Sequence, residues 1–246
     1  MTTTLFPPPC IAADQIQTEL QGKGYAVLSS DTFANWARVP IADLLALLPS
    51  WNDLPPDEYL KDGGRYRKRR HTCFTAAGGV LQAVSNRPHW QPLAYNALHG
   101  GMQRWFAPMQ ADVLETPAWH RLLLALATLA SALKGEQTWF IEAHQFRIDT
   151  TDGIGRPTPE GAHRDGVDLV AVFLINRHAV KGGETRVFEA DGPHGQRFTL
   201  TEPWSLLLLD DARVIHESTP IQPETPGGYR DTLVVTLRAE AFQGES

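Results

Sequence analysis

The chain has 246 residues, of which 42% are hydrophobic and 20% are charged, so it can bury a sizeable core. We expect one globular domain over residues 1–246, and these values exclude an intrinsically disordered chain. The formal net charge of −6 argues against nucleic acid as the main partner, because phosphate binding needs a basic surface.

Cysteine usage and the amino terminus bear on location. Cys10 and Cys73 are too few for a disulfide framework and suit a reducing compartment. The first residues lack the basic start and apolar run of a signal peptide, and no stretch is long enough to span a membrane. We therefore expect a cytoplasmic protein without a membrane partner.

The first half of the chain shows mainly helical patterns. Residues 1–24 are predicted to be an N-terminal extension and residues 25–135 a helix-rich part. Apolar residues recur at helical spacing in 11–20, 41–48 and 119–133, and each run ends near Gly or Pro.

The second half, residues 136–246, has strand patterns instead. Short runs rich in Val, Leu, Phe and Trp are separated by Gly, Pro and Asp, and they cover 138–148, 168–175, 185–189, 197–201, 204–209 and 232–238. No long helix fits between them, which excludes a parallel sheet with crossover helices. We predict an α+β fold with a mainly β core, a double-stranded β-helix (a cupin-like jelly roll), with the helices of the first half packed outside.

Three residues in this half have the types and spacing of a non-heme iron site. His163 and Asp165 are two positions apart, so on an extended segment their side chains point the same way. His216 must return from another strand. Two imidazoles and one carboxylate can occupy one face of Fe(II) and leave the other positions open. We predict that His163, Asp165 and His216 are the metal ligands and the catalytic centre.

Arg230 is the predicted partner for a carboxylate at this centre. Its guanidinium can hold a carboxylate through two parallel hydrogen bonds, and Thr232, on the same face of a strand, can add a hydroxyl. Arg238 is the alternative. An iron face beside a carboxylate clamp is what a 2-oxoglutarate oxygenase requires.

Strand alternation and charge point to further polar residues at the site. Gln145 and Arg147 share a strand face opposite to His144, and they either bind a carboxylate of cosubstrate or substrate or support the iron ligands. For His144 we favour a structural role. In the basic run 65–70, one arginine, represented by Arg67, is predicted to bind the substrate carboxylate while the others are solvated.

The remaining acidic residues and histidines are predicted to have structural roles. Asp210 and Asp211 are predicted to serve a turn or to support the ligands rather than to bind metal. The histidines without a partner at ligand spacing are expected to be ordinary surface or core residues, and they are His71, His89, His99, His120, His178 and His194.

The motifs in order resemble those of a known family. They are His163-Arg-Asp165, Gly182-Gly-Glu-Thr185, the run from Asp210 through His216 to Pro220, and Tyr229-Arg-Asp-Thr232, with flanking segments at 57–74, 95–106 and 142–147. Beyond about residue 25, the chain resembles the Fe(II)/2-oxoglutarate dioxygenases that hydroxylate free amino acids, such as bacterial L-isoleucine 4-hydroxylase.

The resemblance implies a role for each part of the site. His163, Asp165 and His216 would bind Fe(II), and Arg230 would bind the distal carboxylate of the cosubstrate 2-oxoglutarate. From their positions on the strands, we predict that Thr232 and Gln145 also bind this cosubstrate. Oxygen would be consumed, and succinate and carbon dioxide released.

The resemblance also implies a substrate. It would be a small free L-amino acid, aliphatic and like Leu, Ile or Met, and a homo-oligomer is compatible with this reading. Two alternatives stay open: a non-catalytic jelly-roll binding or regulatory protein, and a cupin metalloenzyme that does not use 2-oxoglutarate. A macromolecular substrate is less favoured because the chain has no long basic groove or extra recognition domain.

Overall fold

Strands form the body of the molecule and helices cover one side of it. The computed structural model describes residues 5–244. Its α-helices are α1 (Ile16–Lys23), α2 (Ser30–Ala37), α3 (Ile41–Leu45), α4 (Ala111–Leu114) and α5 (Pro117–Lys134), with 3-10 turns at Ala13–Gln15 and Leu48–Asp53. Its strands are β1 (Tyr25–Leu28), β2 (Arg67–Ala77), β3 (Val80–Ala83), β4 (Trp139–Asp149), β5 (Leu169–His178), β6 (Val180–Gly182), β7 (Thr185–Glu189), β8 (Gly195–Phe198), β9 (Leu206–Asp210), β10 (Val214–Ser218), β11 (Ile221–Pro223) and β12 (Tyr229–Arg238).

The strands pair in antiparallel fashion in a large and a small sheet. Seven strands form the large sheet in the order β1-β9-β5-β12-β4-β2-β3, and three form the small sheet in the order β10-β7-β8. Strands β6 and β11 make a separate pair. A cavity is lined by residues of both sheets, so the sheets enclose it. The predicted jelly-roll core with a mainly β composition is confirmed.

Alternation along β12 divides its side chains between two environments. Leu233, Val235 and Leu237 belong to the large apolar core. The residues at the alternate positions of the strand face the cavity, among them Arg230, Thr232 and Val234. One strand thus anchors the sheet to the helices and presents polar groups to the site, as period-two geometry requires.

The long helix α5 contributes much of the apolar cover of the sheet. Thr116 caps its start, since its Oγ1 accepts a hydrogen bond of 3.2 Å from the Trp119 amide, and Pro117 occupies the first turn. Leu122 and Leu126 are fully buried in the core that contains Leu233 and Val235. The helix predicted over 119–133 is confirmed, whereas the one predicted over 41–48 ends at Leu45, and a 3-10 turn that begins at Leu48 and contains Pro49 follows it.

The first half is not only helical. It supplies β1, β2 and β3 to the large sheet, and β2 lies between β4 and β3. The basic run 65–70 overlaps β2 and is predicted from its charge to be mostly solvated. Instead, Arg67, Arg69 and His71 are buried on one face of this strand. Because this segment carries charged residues at successive positions, it lacks the apolar–polar alternation that normally predicts a strand.

No helix within residues 5–244 combines the length and the apolar character needed to cross a bilayer.

Candidate active site

The three predicted metal ligands meet in the cavity. His163 Nε2 lies 3.8 Å from one oxygen of Asp165, and His216 Nε2 lies 3.8 Å from the other. One potential ligand atom from each residue falls within 4.8 Å of the others, so a single ion could contact all three. The spacing of the sequence motif therefore corresponds to real proximity.

The hydrogen bonds of His163 leave the correct ring nitrogen available. Its Nδ1 donates to the Gly161 carbonyl at 3.0 Å, so Nε2 keeps its lone pair and points toward Asp165. Burial opposes charge on His163, but the Asp165 and Glu160 carboxylates outweigh this and raise its pKa. Burial, together with the neighbouring His163, holds the pKa of His216 well below its usual range. A neutral imidazole is the form that binds metal, so His216 is ready for an ion, whereas an ion at His163 would displace the proton that the carboxylates favour there.

Asp211 fixes the backbone that carries Asp165. Its carboxylate accepts hydrogen bonds from the amides of Asp165 at 2.9 Å, Gly166 at 2.7 Å and Val167 at 3.1 Å. Burial and the nearby Asp165 charge raise the pKa of Asp211 to about 6. The supporting role predicted for Asp211 agrees with these contacts, while Asp210 pairs with Lys134 at 3.0 Å.

Arg230 faces the same cavity as the triad. It is 4% exposed, and its Nε has no hydrogen-bond partner within residues 5–244. Burial, with Arg177 nearby, lowers its pKa to about 10. A buried guanidinium needs an anion or acceptor, so a carboxylate entering the cavity would satisfy it. Thr232 lines the cavity on the same strand face, as predicted.

The long segment between His216 and Arg230 is explained by an added strand. Ile221–Pro223 forms β11 and pairs with β6 before the chain turns into β12. At Gly182, a Cβ atom would lie 2.2 Å from the Pro220 carbonyl oxygen, so only glycine fits this close approach. The alternative, Arg238, also lines the cavity, but its Nη1 donates to the Ala241 carbonyl at 2.7 Å.

A family model described as 2OG-Fe dioxygenase matches residues 48–236. The chain belongs to the 2OG-Fe dioxygenase family. Enzymes of this family use Fe(II), 2-oxoglutarate and O2, and the donor set of His163, Asp165 and His216 suits ferrous iron. None of the curated proteins matches the chain.

The dioxygenase is similar to several solved structures. It is similar to a bsmA homolog (Mpe_A2762) from Methylobium petroleophilum PM1, with 49% identity, a TM-score of 0.92 and coverage of 98% of both chains. It shares its fold with IDO from Bacillus thuringiensis at 19% identity and a TM-score of 0.77, covering 94% of this chain and 100% of that one. It also shares the fold of the Fe(II)/(alpha)ketoglutarate-dependent dioxygenase TqaL at 18% identity and a TM-score of 0.73, covering 95% of this chain and 90% of that one.

Two predicted site residues of the dioxygenase lie on the wrong face. Gln145 donates to the Ser50 hydroxyl at 2.8 Å, and Arg147 pairs with Asp231 at 2.7 Å. Neither lines the cavity, because strand alternation directs Glu142 and His144 inward instead. The expectations that Gln145 binds cosubstrate and that Arg147 binds substrate are therefore corrected. The sequence correctly predicts that His144 lies on the opposite strand face from Gln145 and Arg147. It does not show which of the two faces lines the cavity.

Arg67 does face the cavity, beside two arginines. Its Nε donates to Asp57 at 2.7 Å, and Arg69 Nη1 lies 3.7 Å from the same carboxylate. Arg104, from the segment before α4, lines the same wall. The sequence predicts a substrate-binding role for Arg67 among these arginines, and it predicts no role for Arg104.

A cluster around Glu142 was missed in the sequence. The Oε2 atom of Glu142 lies 3.0 Å from His71 Nε2, 2.6 Å from His89 Nδ1 and 3.6 Å from His144 Nε2. His71 and His89, which are expected from the sequence to be ordinary surface or core residues, instead contact the same buried carboxylate. Adjacent pairing of β2 with β4, which sets His71 opposite His144, was the signal that could have found it.

This cluster differs from the iron face in its protonation. Arg69 Nη2 donates to His144 Nδ1 at 2.6 Å, so a neutral His144 ring carries its proton on Nε2, directed at Glu142. Burial would raise the pKa of Glu142, but His89 and His71 outweigh this effect and hold the pKa below its usual range. The arrangement is a buried carboxylate that accepts from imidazoles, and His144 lacks the free Nε2 lone pair of His163.

Proposed function

We propose that this dioxygenase hydroxylates a small free L-amino acid with an aliphatic or thioether side chain, and that succinate and carbon dioxide are released. The observation that carries the proposal is the chemical make-up of the cavity. It combines buried guanidinium and carboxylate groups beyond the triad with an apolar wall. The charged groups include Arg104 and Glu160, and the apolar wall includes Phe146, Val234 and Phe242. A zwitterion with an apolar side chain needs both.

The residues of the chain divide the work as follows. His163, Asp165 and His216 would hold Fe(II), which with 2-oxoglutarate and O2 supplies the oxidising power when bound. Arg230 and Thr232 bind the distal carboxylate of 2-oxoglutarate. The buried walls exclude water from the reacting carbon.

The lining also bears on substrate size. The cavity lies between the two sheets and is surrounded by buried side chains, which supports a small molecule over a protein or RNA. With a net charge of −6, the chain has no general attraction for nucleic acid, so small amino acids are the proposed partners.

The test has two stages. The apo-protein is titrated anaerobically with Fe(II) and then 2-oxoglutarate, and we expect the visible charge-transfer band of a chelated cosubstrate. A panel of free L-amino acids is then scored by succinate release and product mass. The band without any amino-acid-stimulated turnover would contradict the substrate class. Absence of the band under saturating cosubstrate would favour a cupin or binding protein that does not use 2-oxoglutarate.

A further inference from the structure

Arg104 is a buried cation without a carboxylate partner. It is 2% exposed and is fixed by a backbone pair with His89, with N–O distances of 2.9 and 3.0 Å. Its Nη2 donates to the neutral Gln91 side chain at 2.9 Å, and its Nε has no partner among the residues that the structure describes. Buried charges are normally paired, because an isolated ion is costly to remove from water.

The arginines on this wall keep donors that no group of the described chain accepts. Arg67 and Arg69 share the single carboxylate of Asp57. Glu142 accepts from His71 and His89 rather than forming a salt bridge with an arginine. Arg67 Nη2 is likewise without a partner in the described chain. Burial and the nearby Arg67 lower the pKa of Arg104 to about 10, although the carboxylates of Asp57, Glu160 and Glu142 oppose the shift.

Arg104 is connected to the iron face through one side chain. Gln91 accepts from Arg104 through Oε1 and donates through Nε2 to Asp165 at 3.2 Å. Asn96 donates to the same Oε1 at 3.1 Å, which fixes the orientation of the Gln91 amide. Arg104 therefore lies one amide away from a metal ligand. A small molecule held by Arg104 would have its far end near the iron face.

Arg230 is a separate guanidinium with its own neighbours. It lies on β12 beside Arg177, and no hydrogen bond of the described chain joins it to Arg104 or Gln91. The cavity thus offers two separate positions for carboxylates. A 2-oxoglutarate oxygenase that acts on an amino acid has two carboxylate-bearing ligands to place.

We propose that Arg104, assisted by Arg67, binds the α-carboxylate of the substrate and restricts the enzyme to molecules with a free carboxylate. The inference rests on the proposed function. It adds a substrate-binding and specificity-determining residue to the site, and it separates this residue from the cosubstrate clamp at Arg230.

The test compares three ligands that differ by one charged group. They are L-leucine, 3-methylbutylamine, which lacks the carboxylate, and 4-methylpentanoate, which lacks the ammonium; L-isoleucine and L-methionine are run beside L-leucine. Dissociation constants are measured anaerobically on protein loaded with Fe(II) and 2-oxoglutarate, by calorimetry. The variants are Arg104→Met, Arg104→Lys and, as a matched control, Arg65→Met, because Arg65 belongs to the same basic run but pairs with Asp152 at the surface.

We expect Arg104→Met to weaken L-leucine and 4-methylpentanoate by on the order of 100-fold, as for loss of one partner of a buried charge pair. Binding of 3-methylbutylamine and of 2-oxoglutarate should not change, and Arg104→Lys should restore part of the affinity. Arg65→Met should match the wild type in every titration.

Several results would overturn the inference. Equal weakening of L-leucine and 3-methylbutylamine would make Arg104 merely structural, and weakened 2-oxoglutarate binding would assign it to the cosubstrate. Turnover of an amino acid with unchanged affinity in Arg104→Met would reject this inference and leave the proposed function intact. If the wild type binds none of the amino acids, the proposed function fails. In that case, the carboxylate site would still be supported if the wild type binds 4-methylpentanoate and Arg104→Met does not. If the wild type does not bind 4-methylpentanoate either, the carboxylate site is rejected.

Discussion

His163 and His216 exchange two backbone hydrogen bonds, with N–O distances of 3.0 and 2.9 Å, and their rings lie 4.6 Å apart between centroids. This pairing joins the segment after β4 to β10, so two residues far apart in sequence project onto one ion. Asp165, two residues after His163, completes the face. The iron site therefore depends on a strand-like contact rather than on a flexible loop.

Asp165→Ala should abolish turnover and remove most of the Fe(II) affinity. It deletes the anionic ligand and leaves two imidazoles, which cannot hold a ferrous ion at one face. Metal content after anaerobic loading and succinate release are the measurements. Asp152→Ala, at an exposed carboxylate paired with Arg65, is the control and should behave as wild type. Retained activity in Asp165→Ala would refute the ligand assignment.

Asp211→Asn should weaken Fe(II) binding by about 10- to 100-fold, as loss of outer-shell support commonly does. The amide has one acceptor oxygen in place of two, so the amides of Asp165, Gly166 and Val167 cannot all be satisfied. Competitive chelator titration gives the affinity. Asp210→Asn, which loses only the contact with Lys134, is the neighbouring control. Equal affinities in the two variants would mean that Asp211 does not position the ligand.

Much of this site could be predicted from sequence because its signals are local or chemically specific. The His163–Asp165 pair follows from strand alternation, and Arg230 with Thr232 follows from the same rule. Face choice could not be predicted for β4. Glu142 and His144 face the cavity because Ile141 and Ala143, at the alternate positions of β4, pack in the apolar core. Which face of a strand meets that core depends on tertiary structure. Gln145 and Arg147 were misplaced for this reason.

The prediction that residues 25–135 are helix-rich is wrong at β2, for a second physical reason. Strand β2 carries arginines at alternate positions, and solvated charge is the usual interpretation of such a run. Arg67 and Arg69 are instead buried against Asp57, whose pKa is lowered by both guanidiniums despite its burial. A buried ion cluster arises from tertiary structure, so it gives no periodic apolar signal.

Arg230→Met should raise the KM for 2-oxoglutarate by on the order of 100-fold while the amino-acid affinity changes little. The variant keeps the aliphatic stem but loses the buried guanidinium that would pair with the distal carboxylate. Steady-state kinetics at saturating amino acid gives the KM for 2-oxoglutarate. Arg238→Met is the matched comparison, because Arg238 also lines the cavity. A larger KM effect in Arg238→Met would move the clamp to that residue.

His89→Gln should reduce the loss of stability of the apo-protein on mild acidification. Burial lowers the pKa of His89 to about 4, whereas an unfolded histidine titrates at about 6.5. Between these values the unfolded chain binds more protons, so stability is present above about pH 6.5 and falls as pH drops toward 4. The contribution of one group is at most about 1.4 kcal/mol per pH unit.

Urea unfolding of the apo-protein at pH 7 and at pH 5.5 measures this difference. In that range, an unfolded glutamate with a pKa of about 4.3 stays largely ionised, so a changed Glu142 adds little to the slope. His194→Gln, at an exposed histidine outside the cavity, is the control and should keep the wild-type dependence. A wild-type slope in His89→Gln would show that the ring is already free to take up a proton in the folded enzyme. It would also contradict the placement of His89 as a neutral donor to Glu142.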